Sequence, residues 1–127
     1  MSINSENMLE IFSDIDHCPV RKVLDRFGDK WSILVILILG ENGKMRFGEL
    51  NKTIQDISQK MLTVTLRTLE ADGLVFRKIY PEVPPRVEYE LTEMGESLVP
   101  HIENLTAWAM ENFQAISTSR NEYEYTR

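Results

Sequence analysis

Ser58-Gln59-Lys60-Met61-Leu62-Thr63-Val64-Thr65-Leu66-Arg67-Thr68-Leu69-Glu70-Ala71-Asp72-Gly73 decides how the chain is read. Leu62, Leu66 and Leu69 recur at i, i+4 and i+7, a spacing that lines one face of a helix. Ser58 stands where a hydroxyl can accept an N–H that the first turn leaves without a partner, and Gly73 stands where the helix, expected to run through Asp72, must close. Gln59, Lys60, Thr63 and Arg67 fall away from the leucine stripe, so the outer face is rich in donors near its N-terminus. Upstream, Gly48 to Ile54 reads as a short helix exposing Glu49, Asn51 and Lys52, and Gln55 to Ile57 as a turn. Two short helices joined by a tight turn, the second amphipathic with a polar outer face, meet the requirements of a helix-turn-helix over about residues 47 to 72.

Downstream of Gly73, Leu74 to Tyr80 is rich in β-branched and aromatic residues. Arg86 to Leu91 alternates, with Val87, Tyr89 and Leu91 on one side and Arg86, Glu88 and Glu90 on the other, as in a strand with two unlike faces. These strands predict a hairpin, a wing over residues 74 to 91. Pro81-Glu82-Val83-Pro84-Pro85 between them removes three backbone donors and stiffens the tip, which therefore cannot pair with another strand.

Outward on the other side, Met45-Arg46-Phe47 reads as a short strand. Lys30 to Leu39, capped by Asp29 and stopped by Gly40, is apolar all round. Its periodicity fits a buried helix or a buried strand, its Ile and Val content favours the strand, and its length and caps favour the helix. Pro19 suits the first position of a helix that carries Val20, Val23, Leu24 and Phe27 and ends at Gly28. Residues 5 to 15 hold a rough helical stripe of Met8, Leu9, Ile11, Phe12 and Ile15. Beyond Thr92, Pro100 predicts a break, because a proline inside a helix costs about 3 kcal/mol. The expectation is a short helix to Val99 and a longer one from Pro100, with Ile102, Leu105, Trp108, Ala109, Phe113 and Ile116 on one stripe, and a frayed tail from Ser117 to Arg127.

With 127 residues, 43% of them apolar and 27% charged, the chain predicts one folded domain, mainly α with a small β-hairpin, over 1–127 with its core at 18–116. The longest apolar run, Ile33 to Leu39, falls short of the roughly 20 residues that cross a bilayer. The acidic start MSINSENMLEIFSDID is unlike a signal peptide, so a cytoplasmic location is expected. One cysteine, Cys18, closes no disulfide within the chain.

The net charge of −6 argues against a nucleic-acid partner, but its distribution does not. Between Lys44 and Arg86 eight Lys and Arg face five Asp and Glu, leaving this span at +3 and the remainder at −9. A basic centre between acidic ends can turn one face to DNA while the rest repels it.

The motifs Cys18-Pro19-Val20, Gly28-Asp29-Lys30-Trp31, Arg46-Phe47-Gly48-Glu49-Leu50, Ile57-Ser58-Gln59-Lys60-Met61-Leu62, Leu69-Glu70-Ala71-Asp72-Gly73-Leu74-Val75 and Pro84-Pro85-Arg86-Val87-Glu88-Tyr89 closely resemble the HxlR-type regulators, bacterial winged-helix proteins related to the MarR group. The likeness runs from Cys18 to about Trp108. One departure is Asp29, where the family more often has Gly. The resemblance implies a cytoplasmic, nucleoid-associated homodimer built through the terminal helices, about 5–15 and 100–116, that binds a pseudo-palindromic operator in double-stranded DNA. The surplus apolar stripes agree, since Leu9, Phe12, Ile102, Leu105, Trp108, Ala109 and Phe113 exceed what a small core needs. Two-fold symmetry would then set two helices of the Ser58 type about 34 Å apart.

On this reading Ser58 and Gln59 contact phosphate or an adenine edge, Lys60 and Arg67 phosphate or guanine, and Thr63 a thymine methyl. Arg77, Lys78 and Arg86 position the wing on phosphates or in the minor groove, and Arg46 is a weaker candidate. The plainer alternatives are a solvated face for the Ser58 helix and, for Arg77, Lys78 and Arg86, pairing with Glu82, Glu88 and Glu90. Cys18, beside Arg21 and Lys22 at a helix start, is favoured as thiolate but opposed by Asp14 and Asp16. The resemblance suggests a redox or electrophile sensor there, and a small buried residue is the equal alternative. Trp31, Tyr89 and Trp108 line either the core or a small-molecule effector pocket, with the core preferred. No cofactor is expected, and the isolated His17 and His101 lack metal-ligand spacing. Two other functions are weighed: a winged-helix protein-interaction module, and a thiol enzyme with Cys18 as nucleophile and His17 as base, for which no orienting third group is evident.

Overall fold

Asp29 begins the core. One carboxylate oxygen accepts the N–H groups of Trp31 (3.0 Å) and Ser32 (2.9 Å), and the other accepts the Ser32 hydroxyl (2.8 Å). These bonds satisfy donors that a helix start otherwise strands, and they launch α1, Lys30–Asn42. In this computed structural model, which describes residues 22–25 and 28–126, the ambiguous apolar segment is therefore a helix. Val35, Ile36 and Leu39 are fully buried, because the rest of the fold packs around α1 on several sides. The expectations for residues 5–15, Cys18, Pro19, Val20 and Phe27 lie outside the described residues.

Gly40 does not stop α1. The helix continues to Asn42 and ends at Gly43, whose φ of 75° suits glycine and whose N–H donates to the Leu39 carbonyl at 2.9 Å. Gly40 instead admits a neighbour, since a Cβ there would stand 2.9 Å from Val99 Cγ2.

β1, Met45–Arg46, is shorter than expected because Phe47 already belongs to α2, Phe47–Ile54. The start of α2 is secured by Glu49, whose carboxylate accepts the Arg46 N–H at 2.9 Å. Gln55 turns the chain with φ 60°, and Asn51 donates its side-chain amide to the Ile57 carbonyl at 3.2 Å across the turn. Ser58 then caps α3, Gln59–Ala71, accepting the Met61 N–H at 3.0 Å. Leu62, Leu66 and Leu69 are buried.

β2, Val75–Tyr80, and β3, Arg86–Leu91, pair antiparallel with Val75 opposite Leu91 and Tyr80 opposite Arg86. β1 adds to the other edge of β3, Met45 opposite Tyr89 and Arg46 opposite Glu88, in the sheet order β1-β3-β2. Val75 and Leu91 are buried at the base, and residues 81–85 at the tip are exposed. The two-sided alternation of β3 is muted, every residue before Leu91 being half-buried.

The largest departure from expectation follows β3. α4, Glu93–Thr126, is one helix that passes through Pro100 and includes residues 117–126 of the tail expected to fray, Arg127 lying outside the described residues. Pro100 is exposed, while Leu98, Val99 and Ile102 on either side pack on the core; that burial offsets the hydrogen bond a proline cannot make. At its start the Gly95 N–H donates to Thr92 Oγ1 (3.1 Å), and the Thr92 hydroxyl donates to the Gly73 carbonyl (2.6 Å).

Candidate nucleic-acid interface

The leucine face of α3 holds the helix on the core, so its opposite face is solvent-exposed by construction. Ser58, Gln59, Lys60 and Arg67 are exposed and Thr63 is half-buried. The Ser58 oxygen accepts the Met61 N–H as its cap, and its O–H can still donate to a partner. The Thr63 hydroxyl donates to the Gln59 carbonyl at 2.8 Å, so its methyl is the part left to meet a partner. Lys60, Val64 and Arg67 form the outward stripe at i, i+4 and i+7, with Val64 51% exposed. Val64 was missed because its apolar side chain was not read for surface function; the stripe spacing was the available signal.

The wing cations divide between the two faces of the sheet. Arg77 is paired with Tyr89 in register, and its Nε lies 3.6 Å from Glu70 Oε2 on α3. Burial pushes the Tyr89 hydroxyl above its ordinary pKa, with Arg77 and Arg67 opposing and Glu70 adding to the rise. Arg67, Glu70, Arg77 and Tyr89 thus meet at the junction of helix and wing.

Lys78 and Arg86 occupy the other face. Lys78 is opposite Glu88, which is also opposite Arg46, so these side chains share a face. Lys78 and Arg46 are exposed, whereas Arg86 is half-buried. Arg86 Nη2 lies 3.3 Å from Glu82 Oε1, its Nε 3.4 Å from Glu88 Oε1, and its guanidinium 4.0 Å from the Tyr80 ring centroid. The nine candidates are therefore one helix face joined by Arg77, and a second group of Arg46, Lys78 and Arg86 across the sheet.

Among the residues expected to join two chains, Ile102 is 5% exposed and belongs to the chain's own core. Leu105 (57%), Trp108 (56%) and Phe113 (68%) are open to solvent, and Ala109 is exposed between them. Leu9 and Phe12 lie outside the described residues. Trp31 is half-buried under the Lys30 ammonium, 4.4 Å from its centroid. A cavity of about 480 Å³ is bounded by Val23, Leu74, Met94 and Leu98 with Asp72, Ser97 and His101, and not by Trp31, Tyr89 or Trp108.

Helices α2 and α3 joined by a tight turn, followed by a hairpin whose root is buried against α3, define a winged helix-turn-helix protein. Residues 26–117 match the HxlR-like helix-turn-helix family, and the chain belongs to it. An HTH-type transcriptional regulator of Methanothermobacter thermautotrophicus is 50% identical over 91 residues, 72% of this chain and 69% of that protein. The Bacillus subtilis HTH-type transcriptional regulator YybR is 40% identical over 87% of this chain and 88% of its own. Among solved structures, the redox regulator HypR in its reduced form superposes with a TM-score of 0.73 at 41% identity, covering 79% of this chain and 98% of that one. The protein is a transcriptional regulator of this family. No helix among the described residues is long and apolar enough to cross a membrane.

Proposed function

We propose that the protein is a homodimer that binds a pseudo-palindromic operator, with α3 in the major groove and the wing beside it. The observation that carries this reading is the outward stripe Lys60, Val64 and Arg67, backed by fully buried Leu62, Leu66 and Leu69. A helix so fixed presents cations and a small apolar patch with little freedom to lose on binding, and these match guanine edges, phosphates and thymine methyls. Gln59 and the Thr63 methyl extend the contact. Arg77, Lys78 and Arg46 supply phosphate contacts around it. Leu105, Trp108, Ala109 and Phe113 supply the dimer surface, together with the N-terminal Leu9 and Phe12.

A footprint on the chain's own upstream region tests this. A symmetric protected site is expected, with affinity falling steeply in salt, by a slope near −0.9 per phosphate contacted. Arg67→Ala is expected to weaken specific binding more than nonspecific binding, and Lys78→Ala to weaken both alike. A chain that stays monomeric and binds no duplex at low salt would refute the reading.

The likeness to the redox regulator HypR, solved in oxidised and reduced forms, supports a second element: control of operator binding through Cys18. A lone thiol acts through an intersubunit bond, a small-thiol adduct or direct oxidation. Diamide is expected to change operator binding by the wild type and to leave Cys18→Ser unaffected; an equal response in both removes Cys18 from the mechanism.

A further inference from the structure

Arg86 has the most fully answered charge of the wing cations: Arg77 meets one carboxylate, Glu70 at 3.6 Å, and the Lys78 ammonium lies 5.1 Å from the Tyr80 centroid. The Arg86 guanidinium lies 4.0 Å from the Tyr80 centroid, with Glu82 at 3.3 Å and Glu88 at 3.4 Å, and its Nε is buried without a hydrogen bond of good geometry. Tyr80 is its cross-strand partner in the last pair before the tip, and Glu82 lies within the tip. A planar guanidinium both stacks on a ring and forks to carboxylates, which an ammonium cannot do. Arg86 therefore ties the two strand ends and the loop into one unit. From Pro81 to Arg86 the only charged residues are Glu82 and Arg86, and they are paired. The tip consequently offers no uncompensated cation. What it does offer is apolar: Val83 is 101% exposed between prolines, and Pro81, Pro84 and Pro85 are all exposed.

We propose that Arg86 is the clamp of the wing and not one of its phosphate contacts, and that the tip it holds, Val83 with Pro84, meets the duplex by apolar contact with the walls of the minor groove. This rests on the operator-binding reading above. Apolar side chains at a groove gain contact without releasing counterions, so the two roles for Arg86 differ in their salt dependence. A phosphate contact would forfeit about 0.9 of slope on Arg86→Gln and keep most of it on Arg86→Lys. A clamp forfeits affinity in both variants and slope in neither.

The test has one arm without DNA and one with it. In the free protein, hydrogen exchange at the Glu82 and Val83 amides is expected to quicken at least several-fold in both Arg86→Gln and Arg86→Lys, with thermal unfolding otherwise close to wild type. Unchanged exchange would overturn the clamp. In operator titrations across salt, both Arg86 variants are expected to lose about ten-fold in affinity at unchanged slope, while Lys78→Ala loses about 0.9 of slope as the reference for a true phosphate contact. Val83→Ser is expected to lose several-fold at unchanged slope and Val83→Ile to bind like wild type. A shallower slope in Arg86→Gln, or wild-type binding by Val83→Ser, would sink the proposal. If the wild type bound no duplex, the operator-binding reading would fall, and with it the apolar contact, while the exchange arm would still judge the clamp.

Discussion

At the scale of single residues, Asp29 and Gly95 show how one side chain, or the lack of one, fixes a junction. Partial burial pushes the Asp29 carboxyl up, but N–H groups of Ser32 and Trp31 and the Ser32 hydroxyl outweigh it and hold the pKa below the ordinary 3.8. A lowered folded pKa means that the unfolded chain binds the extra proton in acid, so this stabilisation is complete above the ordinary value and fades as pH falls through the lowered one. Asp29→Ala is expected to cost about 1 kcal/mol at pH 7. The stability gap between wild type and Asp29→Asn, followed by urea unfolding, is expected to narrow below about pH 4; a gap constant down to pH 2 would contradict the assignment. Gly95 is needed for a different reason: a Cβ there would overlap the Leu74 carbonyl oxygen, where α4 leaves the root of the wing. Gly95→Ala forces backbone apart at that crossing and is expected to cost about 1 to 3 kcal/mol, read as a lower urea midpoint. Ala has the higher helix propensity, so a stabilised variant would show the contact to be unimportant.

At the scale of elements, α4 corrects the sequence reading most. The expected break at Pro100 weighed the local penalty alone, and the local penalty is real. What outweighs it is the burial of Ile102 and the packing of Leu98 and Val99 on the core, one turn or less to either side. Pro100→Ala restores a donor in an exposed position and is expected to raise stability by about 1 to 3 kcal/mol without shortening the helix, measured by thermal unfolding and helical ellipticity. A loss of stability would mean that the helix exploits the proline. α3 was legible to its cap, because Ser58, the leucine spacing and Gly73 are all local signals. The wing was legible as a hairpin, but its register was not. Strand alternation already puts the adjacent Arg77 and Lys78 on opposite faces, and the packing of the wing decides that Arg77 is the one that faces α3.

For the whole molecule, the decisive feature is apolar surface that the described residues leave uncovered. α4 extends for 34 residues, about 50 Å at 1.5 Å per residue, and its distal part exposes Trp108 and Phe113 well away from the buried Ile102. Two copies joined along that surface would bury both aromatics, each contributing about 1.5 to 3 kcal/mol. Trp108→Glu with Phe113→Glu is expected to yield a folded monomer by sedimentation. Its operator affinity should fall at least 100-fold, because a single α3 reads only half of a symmetric site. A dimer that survives both changes would place the subunit contact elsewhere.

Sequence alone determined the two helices and the hairpin over residues 47–91, the faces of α3 and the fold class, since caps, turn residues and the i, i+4, i+7 repeat act over a few residues and need no distant partner. It also sufficed for the family resemblance, which rests on six separated motifs. Tertiary structure alone decided that Gly40 is a contact and not a stop, that α4 crosses Pro100, and that Ile102 serves the chain's own core. It also decided which cations are already paired. Each of those outcomes depends on a surface brought in from elsewhere in the chain, and the free energy of burying it exceeds the local preference that the sequence displays.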